Sequence, residues 1–447
     1  MPPLLLLSLS LLLSLLSTNA AVSAFVARHP AAKEIVIVGK IILDKYGPPN
    51  NNNNNDNNNS QKDDNNDDSR GITIGGGGPQ AAWGAAASLA ARDYLLQKKI
   101  YDGGDEDYNR IIKHQKITFL APIGTKNWTP SMTEQISQLL PPMVKVVLIP
   151  SADHITPTIN IWHDEHENVR WMPVDGSFDD VGANGLWQNR PSAQDILTAI
   201  LQEEDDGSNN SNDIILHAII ESGSKPTGEG LDALPFLDNE LMSRVSSAGV
   251  EPIVFADDVS GKVTYEDSYA VTTTINKIRQ SFICAHRAYS SRTFDEVKND
   301  GNNNKSLFVV TPDRPCYEGM ISHTNFTISE GNTEEGNEFF ETIIRDGRNG
   351  CFTNNNEMKM PAATLRTVDG MPVNPTGAGN AFSAAYVVCR GTGSSRKEAA
   401  SLATAVGAVV CEYPHLPPWS SEVLERIVEG ACEVNEKCTT KPSTSLL

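Results

Sequence analysis

The chain is short of positive charge. Its 36 Lys and Arg face 56 Asp and Glu, for a net charge of −20 and a pI near 4.9. No Lys/Arg run interrupts that balance. Nucleic-acid binding needs basic patches that neutralise phosphates, so that partner class is set aside. Also lacking is a long apolar run: Leu4–Leu16 is too short to span a bilayer comfortably. The seven cysteines are odd in number and hold no Cys-x-x-Cys pair, which fits neither a disulfide framework nor a dithiol motif. Several sit in apolar runs and read as small buried hydrophobes; Cys432 and Cys438 are the candidates for redox activity. Finally, no Gly-x-Gly-x-x-Gly follows the first strand-like run. After Gly39 the chain reads Lys-Ile-Ile-Leu-Asp44, which disfavours a Rossmann dinucleotide site.

What is present begins with a presequence. Leu4–Leu16 is almost wholly Leu and Ser, as in a signal-peptide core, and Val22-Ser-Ala24 supplies small residues for cleavage. Residues 1–24 read as a signal peptide. Residues 25–33 hold Arg28, His29 and Lys33 and no acid, like a short transit segment. The run Val22–Ala27 is similar to the Phe-containing motif of plastid precursors in diatoms and related algae. The expected destination is an algal plastid, with secretion or the endomembrane lumen as the alternative.

From Glu34 onward the pattern is α/β. Short β-branched runs at 34–38, 116–124, 213–220, 251–255 and 306–310 read as buried strands. Thr156–Asn160 and Arg170–Met172 read as a hairpin around His163-Asp-Glu-His166. Two imidazoles on a turn with no third ligand are not read as a metal site. A helix is expected over Asp238–Ala248, and three more over 377–389, 396–413 and 420–432. Strands alternating with helices imply a largely parallel sheet. The Asn/Asp-rich tract at 48–70, and shorter ones at 204–213 and 299–304, cannot bury apolar area and read as disordered loop expansions. The domain is expected over 34–434, with a polar tail at 435–447.

Two glycine loops open helices. Gly75-Gly76-Gly77-Gly78 runs into an Ala-rich segment ending near Arg92, and Thr376-Gly377-Ala378-Gly379-Asn380 runs into an apolar one. The first N–H groups of a helix lack internal partners and carry partial positive charge. Glycines let an anion approach them closely.

The second loop resembles the Gly-Ala-Gly-Asp motif of pfkB (ribokinase-like) carbohydrate and nucleoside kinases, in the branch with Gly-Ala-Gly-Asn. The resemblance covers residues 34–434 in outline. It implies a ribokinase-like three-layer αβα sandwich with a mostly parallel central sheet and a small β-sheet lid. It also implies ATP and Mg²⁺ as cofactors, a sugar or nucleoside as partner, and a homodimer through the lid. By this resemblance Gly377, Ala378 and Gly379 form the anion hole, and Thr376, Gly377 and Gly379 bind nucleotide. Asp44, five residues after Gly39, grips acceptor hydroxyls with Gly75, Gly76, Gly77 and Gly78. Thr156 and Thr158 reach in from the lid. Asn380 stands where the family has its catalytic aspartate, and a neutral amide is not a useful base.

Two further departures fall on the nucleotide side. The family's Asn-x-x-Glu is missing near Tyr269–Asn276, while Asn332-x-x-Glu335 and Asn354-x-x-Glu357 follow the wrong strand. The glycine-rich nucleotide turn expected after Ser306–Val310 reads Thr311-Pro-Asp-Arg-Pro-Cys-Tyr317. The expected function is ATP-dependent phosphoryl transfer to a hydroxyl of a sugar, nucleoside or related molecule. The alternative is a catalytically silent relative that binds a ligand or serves as a scaffold.

Overall fold

The first strand shows how the sequence builds the sheet. In Glu34–Val38, Ile35 and Ile37 point into one apolar cluster and Val36 and Val38 into another. A strand buried on both faces has no polar alternation, because helices cover each side. The computed structural model describes residues 34–46, 72–100, 116–163, 169–174, 191–201, 214–221, 238–253, 265–293, 307–324, 340–353, 357–366 and 373–440. The expected presequence, the three Asn-rich tracts, residues 164–168 and the chain after 440 lie outside them.

After β1 (Glu34–Val38) come β2 (Ile42–Tyr46), β3 (Ile72–Gly75) and helix α1 (Gly77–Ile100). Next are β4 (Ile117–Gly124), α2 (Pro130–Leu139), β5 (Val144–Ser151), β6 (Thr158–His163) and β7 (Val169–Pro173). The middle of the chain gives α3 (Ala193–Leu201), β8 (Ile214–Glu221), α4 (Asn239–Arg244), β9 (Val245–Ile253) and α5 (Tyr265–Thr293). Then follow β10 (Leu307–Val310), α6 (Arg314–Thr324), β11 (Phe340–Arg345), β12 (Cys351–Thr353) and β13 (Met358–Met360). Three helices, α7 (Ala378–Gly391), α8 (Arg396–Cys411) and α9 (Ser421–Lys437), precede β14 (Thr439–Thr440).

The ten-stranded sheet runs β14-β13-β12-β11-β10-β9-β8-β1-β4-β5. It is parallel from β11 through β5 and antiparallel at the β12–β14 edge. One face packs on α1, α7, α8 and α9, with Trp83 and Tyr386 as its largest buried side chains. The other packs on α3 to α6 around Phe282 and Phe308. A separate four-stranded sheet runs β3-β2-β6-β7. The architecture is therefore α/β, with helices on both sides of a mostly parallel sheet and a second, smaller sheet. Among the described residues, no helix is long and apolar enough to cross a membrane.

Several expectations need correction. The helix expected over Asp238–Ala248 stops at Arg244, and Val245–Ile253 is a buried strand. Its Ser-Ser-Ala-Gly run is poor in strand formers, but Val387 of α7 presses onto Gly249 and leaves no room for a side chain. Packing overrides propensity there. The last helix runs to Lys437 rather than Cys432. Thr439 and Thr440 then pair with Lys359 and Met358, so the first residues of the expected polar tail are built into helix and sheet.

Candidate active site

Parallel strands direct their carboxyl ends to one edge of the sheet. Ligands bind there in α/β folds, where the strand order reverses. Here β1 lies between β8 and β4, and the chain leaves it through Gly39 and Lys40 into β2. That exit places Asp44 on β2 against Gly75 of β3, so closely that a Cβ at Gly75 would overlap the carboxyl group. A cavity of about 380 Å³ opens beside them, lined among others by Asp44, Thr73, Gly75, Gln80, Asn374 and Thr376. Asp44 is 8% exposed. Burial pushes its carboxyl up to about 7, and no cation of the described residues offsets that.

The two glycine loops meet at this cavity. Gly76 turns the chain into α1, whose Gly78 N–H donates to Lys40 O at 2.9 Å. Gly377 caps α7 with φ +85, a left-handed conformation that disfavours any side chain, and Gln80 of α1 occupies the space a Cβ would need. Further along, Gly84 lies against the backbone of Ala381, which lets α1 and α7 cross closely. Asn380 and Gln80 are hydrogen-bonded at 2.7 Å. Asp44, Gly75–Gly78 and Thr376–Asn380 are thus brought together.

Thr156 stands apart from them. It is fully buried. Its hydroxyl accepts from Gly124 N at 3.0 Å and donates to Gly124 O at 3.2 Å, while its backbone N–H donates to Asn127 Oδ1 at 2.7 Å. It braces the end of β4 and does not line the cavity. Thr158 is opposite Leu43 in the small sheet, with its hydroxyl 3.5 Å from Thr156 O.

Behind the Gly377 loop lie residues that sequence reasoning missed. Glu251, at the carboxyl end of β9, is 2% exposed and pairs with Arg345 of β11 at 3.0 Å. Arg345 Nε also donates to Thr311 O at 3.0 Å, and its guanidinium fills the space beside Gly379. Burial raises the Glu251 carboxyl to about 7; Arg345 pulls it down and Asp313 pushes it up. The Asn380 carboxamide lies between Gln80 and Glu251. Turned over, its nitrogen donates to Glu251 Oε1 and Oε2 at 3.2 and 3.0 Å and its oxygen faces Gln80. Deeper still, Ser383 of α7 meets His217 Nε2 at 2.9 Å and Thr311 Oγ1 at 2.5 Å. Burial, with the Arg345 charge, lowers His217 to about 3 and keeps it neutral.

Where a glycine turn is expected after β10, the chain starts a helix. Thr311-Pro-Asp313 starts α6, with Asp313 Oδ1 accepting from Cys316 N at 2.8 Å. The glycine turn follows the next strand: Gly347 and Gly350, at φ +51 and +91, shape Asp346–Gly350 just beyond Arg345. The segment Tyr269–Asn276 lies within α5, and Asn332, Glu335 and Asn354 fall outside the described residues. Among the described residues, no three His, Cys, Asp or Glu gather to hold a metal. Mg²⁺ in such chemistry is bound largely through substrate phosphates and water.

The family model for pfkB family carbohydrate kinases matches residues 332–417. Solved structures with a similar outline include a ribokinase from Thermotoga maritima, at 13% identity and TM-score 0.44 over 90% of this chain and 100% of that one. A nucleoside kinase from Methanocaldococcus jannaschii gives 14% and 0.42 over 89% and 100%. A nucleoside kinase from Burkholderia thailandensis, solved with inosine, gives 12% and 0.46 over 89% and 98%. No curated protein matches the chain. Residues 332–417, which hold the Gly347 turn, the Gly377 loop and most of the helices that follow, are similar to the pfkB family carbohydrate kinases.

Proposed function

We propose that the chain is an ATP-dependent kinase for a hydroxyl of a sugar, nucleoside or related polyol. One observation carries this reading. A buried carboxylate with no cation beside it among the described residues, Asp44, borders a cavity whose wall also includes Gln80 and Thr376, at the mouth of the Gly377 loop. Adjacent sugar hydroxyls suit Asp44, since an ionised carboxylate accepts hydrogen bonds through both oxygens. The amides of Gly377–Gly379 and the start of α7 suit a phosphate, and Arg345 adds a cation beside Gly379. ATP with Mg²⁺, when bound there, supplies the phosphoryl group and neutralises its charge. Asn380 and Gln80 orient the attacking hydroxyl. Neither takes its proton, so turnover is slower than a general base would allow, by roughly 10²–10⁴-fold.

Asn380 also favours a second reading, a silent relative that binds a sugar or nucleotide. The two part on ADP release from Mg-ATP by the purified chain against a panel of sugars and nucleosides. Acceptor-dependent ADP supports the kinase. Tight acceptor binding without ADP would sink it and support the binding protein. We also assign the protein to an algal plastid through Val22–Ala27. A fluorescent protein carrying residues 1–33 is expected inside plastids, and its secretion would exclude that address.

A further inference from the structure

Three side chains from distant parts of the chain form a row that ends at the cavity: Glu251 on β9, Asn380 on α7 and Gln80 on α1. An ionised carboxylate only accepts hydrogen bonds. It therefore draws the nitrogen of Asn380, at 3.0 and 3.2 Å from its two oxygens, and turns the Asn380 oxygen toward Gln80, whose own carboxamide then turns to donate its N–H to that oxygen. On its other side Glu251 is held by Arg345 at 3.0 Å. We infer that Glu251 is the positioning residue of this site: the negative charge that the family carries at position 380 resides here on β9, and it fixes the Asn380 carboxamide with its oxygen toward Gln80, which lines the cavity. This rests on the kinase reading above.

The arrangement makes a counterintuitive demand. Asn380→Asp alone does not rebuild the family's site. It places a second carboxylate about 3 Å from Glu251, and two carboxylates that close share one proton, each opposing ionisation of the other. Both would also compete for Arg345. Exchanging the two groups, as Asn380→Asp with Glu251→Gln, leaves one carboxylate and one amide in contact and restores charge at position 380. The charged or titratable groups around Glu251 are Arg345 from β11, Asp313 from the turn after β10 and Cys316 from α6. His217 of β8 faces Arg345. Burial keeps the Cys316 thiol and the His217 imidazole neutral. The carboxyl of Glu251, raised to about 7 by burial, leaves little room for a second ionisation.

The test uses five full-length chains: wild type, Asn380→Asp, Glu251→Gln, the double variant, and Asn380→Ser as an uncharged control. Melting temperature is read at pH 6 and pH 8. Asn380→Asp is expected to lose more at pH 8 than at pH 6, because the proton shared by the pair is given up as pH rises. Asn380→Ser should lose the same at both. The double variant should be more stable than the sum of the single losses, with the pH dependence gone. In parallel, ADP release from Mg-ATP with the sugar and nucleoside panel should be at least tenfold faster in the double variant than in Asn380→Asp. Additive melting losses, or an Asn380→Asp chain as stable as wild type at pH 8, overturn the proposal even if ADP is formed. Coupled melting with no ADP from any chain overturns the kinase reading and leaves Glu251 as the group that orients Asn380.

Discussion

Asp44 and Glu251 are two buried carboxylates with different arrangements. Burial raises both to about 7. Glu251 has Arg345 at 3.0 Å and lies behind the Gly377 loop. Asp44 has no cation among the described residues and borders the cavity. Removing a carboxylate from water costs several kcal/mol unless a partner offsets it. For Glu251 the partner is part of the fold. For Asp44, in the proposed function, the acceptor supplies it.

The sharpest way to break that contrast is to remove the internal carboxylate. Glu251→Ala leaves Arg345 buried without its partner and is expected to lower unfolding stability by about 3–5 kcal/mol, read from denaturant midpoints at pH 8. A change under about 1 kcal/mol would place the pair with weak surface bridges. Asp44→Asn should act the other way on stability. With a folded value near 7 against 3.8 unfolded, the native chain holds the extra proton between those pH values. Stability contributed by Asp44 is therefore present at low pH and lost as pH rises from about 4 to about 7. The Asp44→Asn variant, which does not titrate at this position, should gain on wild type across that window and run parallel to it above. Its acceptor-dependent turnover should fall by about 10²-fold or more, near 2.7 kcal/mol. Unchanged kinetics in the Asp44→Asn variant would detach Asp44 from the acceptor. Thr156→Val, which leaves the Gly124 N–H without its partner, is expected to lose about 1–3 kcal/mol at unchanged acceptor KM. Ser395→Ala is the smallest and a control far from both carboxylates. It removes a capping box with Glu398 and should cost about 1 kcal/mol, with no effect on turnover.

Where one element carried its own evidence, the sequence was readable. The glycine loops advertise helix starts, and Gly39-Lys-Ile-Ile-Leu-Asp44 places a carboxylate just past a buried strand. The α/β alternation gave the layers. Residues whose role depends on a neighbour far along the chain were not readable. Glu251 opens a run that reads as a strand, but nothing in that run marks its carboxylate, because its partner Arg345 lies far along the chain. Arg345 ends a strand the sequence pattern did not single out, though the turn after it, Asp346-Gly-Arg-Asn-Gly350, was a signal that could have found it. The short strand β2 was missed because Asp44 and Lys45 interrupt its apolar pattern, yet it lies inside the small sheet, paired with the edge strand β3 on one side and β6 on the other.

Gln80 and Asn380 meet across 300 residues of chain, and so do Arg92 and Thr392. A ribosome adding roughly 5–20 residues per second needs on the order of a quarter minute to a minute between the two. Throughout that interval α1, with Ala81–Ala87 and Trp83 bound for the core, has been made but its packing partner α7 has not. Loop closure over such a span is entropically slow and precedes any reward from contact. The site is thus among the last features of the fold to form, and a nascent chain shorter than about Asn380 exposes an alanine-rich helix to any chaperone waiting for it.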